Sequence, residues 1–146
     1  MRAPQAAFTL VELLLVLTMT IFILMIGSNI TYKWYDTWQE QGFLQQFHQD
    51  VFYLQQLALT EEEEHHLMFY TDQNKYMIQN QMSGEIILER EIPRTWVIRT
   101  LTLGRTITFS YRGNLKKPGT MSITTTNNRI LITCPFGKGR CYHEKK

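Results

Sequence analysis

The chain has 146 residues, 44% of them hydrophobic and 19% charged, with no internal repeat and no long low-complexity tract. That leaves room for one globular domain and excludes a disordered or collagen-like chain. The net charge of +2 conceals an asymmetry: residues 1–73 carry 2 basic against 9 acidic side chains, and residues 74–146 carry 13 against 4, so the halves are expected to face different surroundings or partners.

Residues 8–27 form an apolar run with one charge, Glu12, followed by threonines at 18 and 20. As a helix rising about 1.5 Å per residue it spans roughly 30 Å, the thickness of a bilayer's hydrocarbon core. A secretory signal peptide, a plain membrane anchor and a signal anchor retained after processing all fit such a run. The small residues that suit a cut, Ala6 and Ala7, precede the run, whereas 27–31 lack an A-x-A pattern. Cleavage there leaves the hydrophobic segment on the mature chain. Glu12 costs about 2.5–3.5 kcal/mol inside a membrane helix unless it is partnered. A cut between Ala7 and Phe8 creates an ammonium four residues before it. The simpler reading of Glu12 is an interfacial acid at the edge of an anchor.

The stretch Ala7-Phe8-Thr9-Leu10-Val11-Glu12-Leu13 resembles the processing site of type IV prepilins, usually G-F-T-L-x-E. The resemblance implies cleavage by a prepilin peptidase between Ala7 and Phe8, methylation of the new amine of Phe8, and pairing of Glu12 with the amine of a neighbouring subunit. Ala7 departs from the family's usual glycine, which bears on cleavage efficiency. The chain then divides into a leader at 1–7, the transmembrane part of a long helix at 8–27, its amphipathic outer part at 28–60 and a strand-rich domain at 61–146.

Past the apolar run, Trp34 and Trp38, then Phe43, Phe47, Val51, Leu54 and Ala58, recur at helical spacing on one face, with Gln, Asp and Glu elsewhere. Gly42 is a point of weakness. The acidic residues 61–64 oppose the dipole of a helix C-terminus and are expected to end the helix near Thr60. With His65 and His66 they also raise a metal hypothesis. Consecutive residues point in different directions, so a solvated turn is the expectation and no metal is assigned.

The remainder alternates short β-like runs with turn signals: 66–71, 75–80, 85–91, 95–101, 106–111, 121–126 and 129–133. A long helix followed by strands predicts an α+β fold, with the helix packed on a C-terminal antiparallel β-sheet. The Gln-rich helix at 39–56, the stretch from Phe69 to Ile78, the strand entry Gly104-Arg105-Thr106-Ile107-Thr108-Phe109 and Gly137-Lys138-Gly139-Arg140 near a charged tail together look similar to the ComGD family, minor pilin-like proteins of Gram-positive competence systems. That implies a pilin-like fold and a single-pass protein of the cell membrane, with Arg2 inside and the strand-rich domain outside. It also implies a role in the transformation pilus, with other major and minor pilin-like subunits, the prepilin peptidase and the pilus assembly machinery as partners.

Cys134 and Cys141 match neither a C-x-x-C motif nor a zinc set. They are free thiols in a cytosolic protein and a small disulfide loop outside the cell; the implied external domain favours the bridge. No catalytic constellation, P-loop or dinucleotide fingerprint is present, so no enzyme activity and no cofactor are expected. His48 and His143 have no motif partners, and the strand aromatics Tyr70, Tyr76, Trp96, Phe109 and Tyr111 are expected to pack in the core or across strands. Among the basic residues of the second half, Arg105, Arg112, Lys116, Lys117 and Arg129 are candidates for contact with DNA phosphates. Dispersed surface charge, or charge complementing acidic regions of neighbours, is the bland alternative. A pseudopilin of a type II-like secretion system, or a membrane-tethered module with a polyanion-binding face, remain the competing functions.

Overall fold

The structure is a computed structural model that describes residues 9–61, 63–137 and 140–145; the side chains of 27–33 also lie outside the description. The expected leader with Ala7, the new terminus Phe8, Glu62 and Lys138 therefore fall outside the described residues.

Helix α1 spans Leu10–Thr60, 51 residues. Thr9 opens it: its carbonyl accepts from the backbone N–H of Glu12 at 3.1 Å and of Leu13 at 3.2 Å, and its hydroxyl oxygen lies 3.4 Å from the Glu12 nitrogen, as a threonine N-cap does. The helix stops where the acidic run begins, with no basic residue in its last turn to offset the carbonyl end of the dipole. The chain divides into two compact units, one up to Gln39 and one from Glu40 to Lys146. Among the described residues the first unit is helix throughout, apart from Thr9 before it.

In the second unit the rest of α1 packs against two antiparallel sheets of four strands. The strands are β1 (His65–Tyr70), β2 (Lys75–Asn80), β3 (Ile86–Glu91), β4 (Val97–Arg99), β5 (Thr106–Thr108), β6 (Gly119–Thr124), β7 (Arg129–Cys134) and β8 (Tyr142–Lys145). The orders are β3-β2-β1-β5 and β4-β6-β7-β8. The single sheet expected from sequence is thus two, because β5 returns to pair with β1 while β6 takes β4 and β7. All seven expected strands are present, the fourth and fifth shortened to three residues each. The eighth, Tyr-His-Glu-Lys, is exposed at all four positions and so carries no alternation to betray it.

The core follows from helical and strand periodicity together. Leu44, Phe47, Val51, Leu54, Leu57 and Ala58 of α1 are buried against Leu67, Phe69, Tyr76, Ile78 and Ile107 of the first sheet and Met121, Ile123, Ile130 and Ile132 of the second. Phe47 is fully buried at the centre, edge-on to Tyr76 with ring centroids 5.8 Å apart and 5.9 Å from Phe69. Tyr76, Trp96 and Phe109 are buried as expected, whereas Tyr111 is exposed. Trp34 and Trp38, grouped with this face from sequence, fall on the far side of the helix because five residues separate Trp38 from Phe43, and they are exposed; burial along α1 begins at Glu40. Gly119 is required where β6 begins, since a Cβ there would lie 2.4 Å from the Leu103 backbone.

Candidate functional site

The first unit presents an unusual surface. Every described side chain from 10 to 26 is exposed, and all but Glu12, Thr18 and Thr20 are large and apolar. An amphipathic helix turns one face to a core; a helix apolar on all sides requires an apolar environment around its whole circumference. The two threonines do not break this pattern, because their hydroxyls donate back to the carbonyls of Leu15 and Leu17 at 2.9 and 2.8 Å, leaving no hydroxyl proton seeking an external partner. Glu12 is the single charge, exposed in the first turn, where the positive end of the dipole favours it. Among the described residues no helix is long and apolar enough to cross a membrane; the described side chains of the run stop at Ile26, about 25 Å along the axis from Leu10.

The second unit fixes its helix with two carboxylates that periodicity did not single out. Glu40 is 1% exposed and accepts from the Thr125 hydroxyl, from Asn128 Nδ2 at 3.0 Å and from Lys145 Nζ at 3.1 Å. Burial pushes its pKa up, but the hydrogen bonds from Thr125, Asn128 and Lys145 outweigh that and hold it below the usual value. Asp50, also buried, accepts from the Tyr76 hydroxyl at 2.7 Å and from Arg90 Nε at 3.3 Å. Burial, and then the Asp50 carboxylate, raise the Tyr76 phenol well above its ordinary value. Glu40 thus ties α1 to the second sheet, and Asp50 ties it to the first.

Cys134 and Cys141 form a disulfide. It closes the short loop between β7 and β8 and sets β8 on the sheet edge, where His143 Nδ1 lies 3.1 Å from His48 Nε2 on α1. Burial, then the neighbouring His143, lower the pKa of His48. These histidines, 95 positions apart, had no spacing by which sequence could join them. Beside them α1 and the C-terminal segment enclose an open hollow of about 670 Å³, lined by Gln45, His48, Phe52, Arg140 and Tyr142 among others.

The basic candidates do not converge on one element. Arg105 precedes β5, Arg112 lies in the turn closed by Gly113, Lys116 and Lys117 follow that turn, and Arg129 begins β7. All five are exposed, and Lys116 is paired with Glu64 at 2.6 Å. The acidic run is likewise divided: Glu61 meets His65 at 3.2 Å, Glu63 meets Asn80, and Glu64 meets Lys116. Among the described residues no three potential ligands are grouped to hold a metal ion.

In fold the chain is similar to the crystal structure of the type IV minor pilin FimU of Pseudomonas aeruginosa, with a TM-score of 0.57 and 13% identity over 73% of this chain and 87% of that one. At this identity the likeness is one of fold: a long N-terminal helix packed on antiparallel sheets. No protein-family model matches the chain, and no curated protein matches it.

Proposed function

We propose that the chain is a minor pilin-like subunit of a competence pilus, of the ComGD type, acting through assembly rather than turnover and supporting uptake of external DNA. The observation that carries this reading is a helix apolar on every side, borne by a chain whose fold is similar to that of a type IV minor pilin. In this reading residues 8–27 hold the subunit in the cell membrane, the domain stands outside, and the disulfide suits that compartment. Prepilin peptidase cuts between Ala7 and Phe8 and Phe8 is methylated. During assembly Glu12 leaves lipid for the amine of a neighbouring subunit, a trade that removes two unpaired charges from low dielectric. The apolar flanks then pack against like helices of other pilins.

DNA contact, if it belongs to this subunit, falls to the exposed Arg105, Arg112, Lys117 and Arg129, with Lys116 already engaged by Glu64. A pseudopilin of a secretion system shares every step except the cargo. Deleting the gene and restoring it separates the two. Loss of transformation with normal protein export supports the competence reading; lost export with normal transformation contradicts it.

A further inference from the structure

Beyond the apolar run, α1 carries a second exposed group: Trp34, Tyr35 and Trp38 are 66%, 68% and 70% exposed. Trp34 and Trp38 are one turn apart on the same face, and Tyr35 stands beside them. We infer that these rings form a lipid-contacting collar that seats the subunit at the outer edge of a bilayer's headgroup zone, with Trp34 and Tyr35 touching it and Trp38 just outside. The inference rests on the membrane reading above and adds to it a depth and a partner.

Spacing is the first support. From Ile26 to Trp34 the helix rises about 12 Å, and to Trp38 about 18 Å. Helical side chains lean toward the N-terminus and cover the preceding turn, so each ring lies about 5 Å nearer the apolar run than its own Cα. The headgroup zone adds roughly 5–7 Å beyond the hydrocarbon on each side, and an ordinary tilt of about 20° shortens every height along the normal. The rings then lie about 7 Å above Ile26 for Trp34, about 8 Å for Tyr35 and about 12 Å for Trp38, which puts Trp34 and Tyr35 at the outer edge of that zone and Trp38 in the water just beyond it.

Chemistry is the second. Indole and phenol rings combine an apolar body with one polar atom, which suits them to a boundary that is wet on one side and greasy on the other. Water alone leaves three large rings exposed at a cost, and the second unit's core does not use them. The third support is continuity: the collar follows directly, along one uninterrupted helix, on a surface that itself demands an apolar solvent.

The test uses the full chain reconstituted in phosphatidylcholine–phosphatidylglycerol vesicles. The chain has 3 tryptophans, and Trp96 is buried in the domain core at 4% exposure, so it serves as an internal control. Three lipid quenchers are compared, labelled at the headgroup, shallow on the acyl chain or deep on it, and flotation reports whether the chain stays with the vesicles. We expect headgroup label to quench strongly, shallow label to quench less and deep label hardly at all. Trp34→Phe should remove most of the shallow quenching, and Trp34→Phe with Trp38→Phe should leave only the unquenched emission of Trp96. A chain that floats while headgroup and shallow labels leave its emission unchanged, or that is quenched best from the deep position, overturns the collar and spares the membrane reading. A chain that does not float overturns both.

Discussion

One helix serves two surroundings, and its two stretches show how differently each is written. From 10 to 26 the side chains are apolar around the whole circumference and uncovered. From Glu40 onward, most apolar residues keep to one buried stripe, with Phe52, Tyr53 and Leu59 exposed outside it, and the two acids on the buried side are each hydrogen-bonded. The first pattern needs an apolar solvent supplied from outside the chain; the second builds its own. The helix backbone runs from one stretch into the other without interruption.

Mutations should separate these stretches. The largest effect is expected from Phe47→Ala, which empties the centre of the domain core and should cost about 3–5 kcal/mol in chemical denaturation while leaving membrane retention intact. Leu17→Arg should do the reverse, weakening membrane retention by about 2.5–3.5 kcal/mol with the domain's melting unchanged. Opening the disulfide by Cys134→Ser with Cys141→Ser should cost about 2 kcal/mol from loop closure alone, read as a lower melting temperature. Removing Lys145 leaves Glu40 with its Thr125 and Asn128 donors, so Lys145→Ala should cost about 1–3 kcal/mol. The smallest change is expected at Ser122, whose buried hydroxyl has no partner: Ser122→Ala should be neutral or stabilise the domain by about 1 kcal/mol.

Acid should loosen the domain in two stages. Glu40 and His48 both have folded pKa values below their ordinary ones, so on acidification the unfolded chain binds each proton first and stability falls. The His48 contribution is complete above about 6.5 and declines as pH falls below it; the Glu40 contribution is complete above about 4.5 and declines below that. His66, lowered by burial and then by His65, shares the upper window, so His48→Gln should reduce the slope there without abolishing it and leave the lower window unchanged. An unchanged upper slope would remove His48 from this account.

Much of the architecture was legible because two periods were clean. The stripe from Phe43 to Ala58 marked the packed helix, the acidic run marked its end at Thr60, and alternation in β1 and β7 marked inward faces. What escaped was carried by polar residues whose partners are distant in sequence. Glu40 looked like one more polar residue of a Gln-rich helix, and only the chain's return at Thr125, Asn128 and Lys145 makes it a fixing point. Tyr76 met Asp50, and His143 met His48, by the same long-range route. Trp34 and Trp38 erred in the opposite direction: sequence grouped them with the packed face, yet the five-residue step from Trp38 to Phe43 turns them to the far side of the helix, where they are exposed.

The proposed role requires an apolar helix that remains on the mature chain with a new cation at its head. N-terminal mass analysis of the protein recovered from cell membranes, beside a strain lacking prepilin peptidase, tests that most directly. A mature chain beginning at methylated Phe8, and an intact leader in the mutant strain, is the expected result. A mature chain that has lost residues 8–27, or one that begins at Met1 in both strains, would contradict it.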